Sequence, residues 1–224
     1  MIKDNVLRIM EEIESASASA NRKSDEITLV GVTKTVTAKE TRELMDAGVL
    51  NLGENRVQSL LDKYEVLKDE PVWHLIGHLQ TNKVKYIADK VSMIHSVDSL
   101  KLAEEIDRRF GENERIADVL VQVNVSGEES KFGISPNDSF ELIEKLSVMN
   151  NLRVLGLMTM APLYSQGDEC RRVFYGLHKL AVDIENKKYD NISMRHLSMG
   201  MSGDFREAIL EGATIVRIGS ALFN

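Results

Sequence analysis

The chain has 224 residues, of which 43% are hydrophobic and 28% are charged, and its formal net charge is −7. Such a composition supports a packed core and excludes an intrinsically disordered chain. The negative net charge excludes a general attraction to polyanions, so we expect no nucleic-acid partner.

Apolar residues near the start of the chain recur at the spacing of one helix face, which predicts an amphipathic helix over about residues 1–20. These residues are Ile2, Val6, Ile9, Met10 and Ile13. Charged residues stand between them, so the segment lacks the uninterrupted apolar region of a secretory signal. The single cysteine, Cys170, is typical of a reducing compartment and is expected to be an inert thiol. We therefore expect a cytoplasmic protein that does not contact a membrane.

After this helix, short apolar segments alternate with longer amphipathic ones, and eight of the short segments are predicted strands. They lie at about 27–34, 49–53, 72–77, 91–96, 117–125, 153–160, 194–199 and 213–218. Several, such as VLVQVNV, are apolar on both alternating faces, which favours a parallel sheet covered by helices.

The longer segments between the strands carry helix signals. Thr37 and Glu40 form a capping-box pattern at the start of one predicted helix. Ser135 and Pro136 are predicted to open another, with proline at the first helical position. Further helices are expected over about 55–67, 98–110 and 166–187.

Eight strands alternating with helices predict an α/β protein with a (β/α)₈ barrel, in one domain over residues 1–224. The alternative is a doubly wound open sheet. Neither glycine-rich nucleotide-binding motif, GxGxxG or GxxxxGK[ST], occurs, so no motif supports a nucleotide-binding version of that alternative.

Polar residues follow several of the predicted strands, and in a barrel these strand ends converge on one open face. Lys34 ends the first strand, Asn55 follows the second and His78 the third. A lysine placed there can form a Schiff base if its amine is deprotonated, although its ordinary pKa is about 10.4. The alternative is a solvated lysine at the rim of the barrel.

The last two strands are followed by residues suited to an anion. Ser202 can cap the short segment FREAIL, and Gly219 and Ser220 follow the final strand in a similar way. Loops in these positions often bind phosphate in barrels, while simple helix capping is the alternative. Arg217 lies inside an apolar strand and therefore needs a carboxylate or a ligand acceptor.

The histidines and a second lysine are weaker candidates. His74, His78, His95 and His196 lie near strands without any metal-binding spacing, so we expect packed or hydrogen-bonded core histidines. Lys131 also follows a strand, but its charged loop predicts exposure to solvent.

Several segments together resemble the YggS/PROSC family of pyridoxal phosphate homeostasis proteins. The matching segments are VTKT (32–35), LGENRVQ (52–58), WHLIGHLQTNK (73–83), VNVSGEESKFG (123–133), GLMTM (156–160), LSMGMSGDFREAI (197–209) and VRIGSALF (216–223). They span nearly the whole chain in the same order. The resemblance extends to the barrel half of alanine racemases, without their separate β-domain.

The resemblance implies that Lys34 carries pyridoxal 5′-phosphate as an internal aldimine. It also implies that Ser202, Gly219 and Ser220 hold the phosphate, that Arg217 contacts the pyridine nitrogen and that Asn55 lines the ring pocket. Many relatives have threonine in place of Ser220, and the hydroxyl is kept.

For function, the resemblance implies storage, buffering or delivery of the cofactor, with no established turnover. Pyridoxal-phosphate-dependent apoenzymes are the expected recipients, and a compact barrel is expected to be a monomer. A weak amino-acid racemase is the first alternative, with Tyr164 or His78 as the second acid or base opposite the lysine. A metal-dependent barrel hydrolase is the second alternative.

Overall fold

The computed structural model describes residues 1–162 and 167–224. Within these ranges eight parallel strands pair in chain order, and β8 pairs with β1 to close a barrel. The strands are β1 (Thr28–Val32), β2 (Asn51–Glu54), β3 (Val72–Leu75), β4 (Met93–Val97), β5 (Ala117–Gln122), β6 (Leu152–Met158), β7 (Ile192–Ser198) and β8 (Ile215–Ile218). The predicted barrel is confirmed, and the open sheet is excluded because its two edge strands would stay unpaired.

Helices surround the strands. They are α1 (Ile2–Ser19), α2 (Ala38–Asp46), α3 (Val57–Leu67), α4 (Leu100–Glu112), α5 (Ser139–Leu146), α6 (Asp168–Glu185), α7 (Phe205–Leu210) and α8 (Ser220–Phe223), with 3₁₀ helices at Ser24–Glu26 and Thr81–Tyr86. Strict alternation fails at one place, because β3 and β4 are joined by the second 3₁₀ helix and not by an α-helix. None of the described helices is both long and apolar enough to cross a bilayer.

Two predicted helix starts have different outcomes. The capping box is confirmed: Glu40 N–H donates to Thr37 Oγ1 (3.3 Å), and Thr37 N–H donates to Glu40 Oε2 (2.8 Å). The helix predicted to open at Ser135 and Pro136 begins instead at Ser139. Ser135 Oγ accepts from Asp138 N–H (3.2 Å) and donates to the Asp138 carboxylate (2.7 Å), so a local turn precedes the helix.

Apolar side chains fill two layers of the molecule. A small group inside the barrel consists of Val30, Met93, Leu120, Met158 and Ile215. A larger layer lies between the strands and the helices, and burial of its apolar surface is the main force that holds the fold together. The amphipathic helix α1 packs against α7 and α8, but Met10, predicted on its buried face, is 46% exposed.

A shared cavity at the carboxyl ends of the barrel strands

A cavity of about 1080 Å³ lies at the carboxyl ends of the strands. The six residues predicted to bind a cofactor all line it, and they come from the ends of β1, β2, β7 and β8. They are Lys34, Asn55, Ser202, Arg217, Gly219 and Ser220. The barrel therefore brings together residues that are far apart in the sequence, as the convergence of parallel strand ends requires.

Lys34 stands at the tip of a turn and not at the end of a strand. β1 ends at Val32, and Val36 N–H donates to Thr33 O (3.2 Å) to close the turn around Lys34. The prediction that the strand runs into Lys34 is therefore wrong by two residues. The Lys34 side chain is exposed and lines the cavity, and the described part of the chain offers it no ion pair. Its amine is free to react with a ligand.

The residue before Lys34 is held by every polar group it has. Thr33 N–H donates to Gly53 O (3.1 Å), and Thr33 Oγ1 donates to Glu54 Oε1 (2.6 Å). Thr33 O accepts from Lys63 Nζ (2.6 Å), and the same amine donates to Glu54 Oε1. The loop that carries Lys34 is thus fixed to β2 and to α3.

The ion pair of Glu54 and Lys63 was not anticipated from the sequence. Both side chains are buried between the barrel and α3, and Glu54 Oε2 has no hydrogen-bond partner among the described residues. A signal was present, because Lys63 lies three residues after Leu60 and four before Leu67, on the apolar face of its helix. A charged residue on such a face requires a buried partner.

Arg217 is buried and donates two hydrogen bonds without a carboxylate. Its Nη1 donates to Ser198 Oγ (2.6 Å) and its Nη2 to Thr159 O (3.0 Å). Burial lowers the pKa of Arg217 to about 10, an effect that the nearby Asp204 carboxylate opposes. The sequence predicted that Arg217 pairs with either a carboxylate or a ligand acceptor. Among the described residues no carboxylate lies within ion-pair distance of Arg217. The guanidinium has five N–H donors, so further donors remain for a ligand in the cavity.

The hydrogen bond from Arg217 to Ser198 is followed, toward the barrel interior, by hydrogen bonds to two histidines. Ser198 Oγ lies 2.9 Å from His95 Nδ1, and His95 Nε2 lies 2.9 Å from His74 Nδ1. His74 Nε2 lies 3.1 Å from Asn51 Oδ1. The prediction of hydrogen-bonded core histidines is confirmed for His74 and His95, both of which are buried.

Acid should destabilise the protein through these two histidines. Burial lowers the pKa of His74 from its usual 6.5 to about 4 and lowers that of His95 well below its usual value. Between pH 6.5 and about 4 the unfolded chain binds a proton at His74 that the folded chain does not bind. The free energy of unfolding therefore falls as the pH drops through this range, by roughly 3 kcal/mol for His74. We expect the melting temperature, followed by circular dichroism, to fall in this window.

His74→Gln removes one of the two buried imidazoles and should make the pH dependence of the melting temperature shallower. A melting temperature with the same pH dependence in His74→Gln and in the parent protein would contradict this account.

The loops after β7 and β8 are joined by Ser202. Its Oγ accepts from Gly219 N–H (3.3 Å) and from Ala221 N–H (3.4 Å), at the start of α8. The prediction that Ser202 caps the helix FREAIL is wrong, because that helix begins after Asp204, whose carboxylate accepts from Met201 N–H (2.6 Å). A Cβ built on Gly203 would meet no atom within 4 Å, so the lining has open space at that point.

The opposite wall of the cavity is formed by the ends of β2 and β3. A Cβ on Gly77 would lie 2.3 Å from Asn55 O, so only glycine lets these two backbones approach. His78 lines the cavity, stacks on Phe132 at 4.2 Å and lies 3.7 Å from the Asp98 carboxylate, whose pKa is raised by burial.

His78 and Tyr164 are the two candidates for a second acid or base, and His196 is the remaining histidine. His78 is 40% exposed and packs on Phe132, and His196 is half-buried and lies 3.4 Å from Thr214 Oγ1, so the predicted packing or hydrogen bonding is present for both but the predicted core position is not. Tyr164 lies outside the described residues. Among the residues that are described, no three histidine, cysteine or acidic side chains are grouped as a metal site.

Two further predictions concern residues away from the cavity lining. Lys131 is not solvent-exposed as expected, because its side chain is only 16% exposed and pairs with Glu128 (2.8 Å). The Cys170 thiol is buried and donates to Gly167 O (3.1 Å), and burial raises its pKa. A raised pKa disfavours the reactive thiolate, in agreement with an inert thiol.

Comparisons with known proteins show the family to which this chain belongs. A family model described as alanine racemase, N-terminal domain, matches residues 2–224. The chain is 46% identical to the pyridoxal phosphate homeostasis protein of Aquifex aeolicus (strain VF5), over 98% of this chain and 96% of the relative. It is 39% identical to the protein of the same name in Pseudomonas aeruginosa (strain PAO1), over 99% of this chain and 94% of the relative.

Solved structures show the same relationship. PipY of Synechococcus elongatus PCC7942, solved with pyridoxal phosphate bound, is 31% identical, with full coverage of both chains and a TM-score of 0.86. An alanine racemase of Clostridium difficile 630 is 16% identical and has a TM-score of 0.74, over 98% of this chain and 56% of the racemase, which shows the shared fold alone. The chain belongs to the alanine racemase N-terminal domain family and, within it, to the pyridoxal phosphate homeostasis proteins.

Proposed function

We propose that this protein binds pyridoxal 5′-phosphate in the cavity, as a Schiff base on Lys34, and acts in the storage, buffering or delivery of that cofactor. The observation that carries the proposal is the position of Lys34, whose amine has no ion-pair partner in the described ranges and lines the same cavity as Ser202, Arg217 and Ser220. The names of the relatives and the cofactor bound in PipY point to the same ligand.

The chemistry of the lining fits each part of this cofactor. The amine of Lys34 suits an aldehyde, since a primary amine and an aldehyde condense with loss of water. The hydroxyls of Ser202 and Ser220, the N–H groups beside Gly219 and the open space at Gly203 suit a phosphate. The remaining N–H donors of Arg217 suit an acceptor such as the pyridine nitrogen. Asn55 contributes to the wall against which the ring would lie.

Arg217 argues for holding the cofactor over using it in catalysis. Bound pyridoxal phosphate supplies an electron sink for carbanions, which depends on the electronic state of its ring nitrogen. Arg217, with its pKa of about 10, stays charged at neutral pH and donates a hydrogen bond without giving up its proton. The alanine racemase of Clostridium difficile 630 is similar at an identity that shows the fold alone, so it gives the racemase alternative no support.

The setting of this function follows from the same features. We infer that the protein acts in the cytoplasm as a monomer and hands the cofactor to pyridoxal-phosphate-dependent apoenzymes. The single buried thiol supports a reducing compartment. The eight strands of the described residues close on one another, so they leave no sheet edge that a second copy would have to cover.

Reductive trapping tests the proposal. Incubating the protein with pyridoxal 5′-phosphate and then with borohydride should convert the C=N bond to a stable amine, and peptide mapping should place the label on Lys34. A label on any other lysine, or no label at all, would overturn the assignment. The metal alternative is checked on the same sample by elemental analysis.

A further inference from the structure

A connected set of polar side chains crosses the interior of the barrel and ends at Arg217. We name Asn51, His74, His95 and Ser198 the interior relay. Its members come from β2, β3, β4 and β7, and consecutive polar atoms lie 2.9–3.1 Å apart, with the last contact, from Arg217 to Ser198, at 2.6 Å. The relay runs beside the small apolar group inside the barrel, where polar groups are costly unless every one is paired.

The direction of every hydrogen bond in the relay is determined by Arg217. A guanidinium has donors only, so Ser198 Oγ must accept from it. The Ser198 hydroxyl donates to its other partner, His95 Nδ1, because the reverse direction would leave the buried His74 protonated on both ring nitrogens, between His95 and the acceptor Asn51 Oδ1. The ring proton of His95 is then on Nε2. That proton is donated to His74 Nδ1, and His74 in turn donates from Nε2 to Asn51 Oδ1. Both histidines are therefore neutral and carry their proton on Nε2.

This arrangement fixes the orientation of Arg217. One terminal nitrogen of the guanidinium is held by Ser198 Oγ and the other by Thr159 O, so the planar group cannot rotate without breaking one of the two bonds. Because the Ser198 hydroxyl donates its hydrogen bond to His95 Nδ1, the lone pairs of Ser198 Oγ stay available to accept from Arg217. Arg217 lines the cavity, while Ser198, His95 and His74 do not.

We propose that Ser198, His95 and His74 are positioning residues that aim the free N–H donors of Arg217 at the ring nitrogen of a bound pyridine cofactor. The proposal rests on the proposed function, since the ring nitrogen is that of pyridoxal 5′-phosphate. It adds a role for three buried residues that do not touch the cavity.

The first test needs no cofactor. Long-range ¹H–¹⁵N correlation spectra of the full chain at pH 7 should show His74 and His95 as neutral rings protonated on Nε2. In Ser198→Ala the acceptor for Arg217 is lost, and the His95 Nδ1 resonance should shift because its donor is gone. A proton on Nδ1 of either ring would overturn the directed relay.

The second test compares pyridoxal 5′-phosphate with its 1-deaza analogue, in which a C–H group replaces the ring nitrogen. Ser198→Ala should weaken binding of pyridoxal 5′-phosphate about tenfold, as expected when a hydrogen bond involving a charged group is lost, and should leave binding of the analogue nearly unchanged. Ser198→Thr, which keeps the hydroxyl, should restore most of the difference between the two ligands.

The matched control is a serine on the same strand. Ser193 Oγ is buried and has no hydrogen-bond partner among the described residues, so Ser193→Ala should bind both ligands as the parent does. Equal weakening for both ligands in Ser198→Ala would show a merely structural role and would overturn the inference. If the parent protein binds neither ligand, the proposed function itself fails, and the two failures are thus distinguishable.

Discussion

Replacing Lys63 with methionine should lower the free energy of unfolding by about 3–5 kcal/mol, because the buried carboxylate of Glu54 loses the cation that pairs with it. For a chain of this length that loss corresponds to a melting temperature roughly 10 °C lower, measurable by calorimetry. The effect is large because Glu54 is fully buried and its Oε2 already lacks a partner among the described residues. Methionine keeps the apolar stem of the side chain, so lost packing contributes little.

Two further variants separate the charge effect from general damage. Lys63→Met combined with Glu54→Gln removes both charges and keeps an acceptor for Thr33, so it should recover most of the lost stability. Lys101→Met, at an exposed position of α4, should change stability by no more than about 0.5 kcal/mol. If Lys63→Met were as stable as Lys101→Met, the ion pair would not hold the Lys34 loop.

Replacing Lys34 with alanine should abolish covalent attachment of pyridoxal 5′-phosphate and leave the fold intact. The amine is the group assigned to the aldehyde, and its side chain is exposed, so its removal leaves no cavity in the core. We expect no borohydride-trapped cofactor in Lys34→Ala, no visible absorption band and a melting temperature within a few degrees of the parent. Weak, reversible binding through the phosphate contacts should remain.

Lys131→Ala is the matched control, since Lys131 is the other lysine that follows a strand in the sequence, and it pairs with Glu128 outside the cavity lining. It should retain the trapped label at Lys34. Undiminished trapping in Lys34→Ala would exclude Lys34 as the covalent site. Loss of trapping in Lys131→Ala alone would assign the covalent site to Lys131.

Features that depend on neighbouring residues in the sequence were mostly predicted correctly, and side-chain contacts between distant residues were not. The eight strands and the capping box of Thr37 and Glu40 were predicted within a few residues, because periodicity and capping depend on neighbours in the sequence. The same reasoning failed for Ser202, where a local capping signal was overridden by contacts with the loop after β8. Ser202 meets these partners because closure of the barrel brings the loops after β7 and β8 together.

The amino-acid sequence by itself determined the order of strands and helices, the barrel and the group of residues that meet at its open end, since parallel strand ends must converge once the sheet closes. Only the tertiary structure decided how those residues are held. The buried pair of Glu54 and Lys63, and the contacts that run from Asn51 to Arg217, join side chains through space. Which buried donor meets which buried acceptor depends on packing and desolvation, and these are properties of the folded interior.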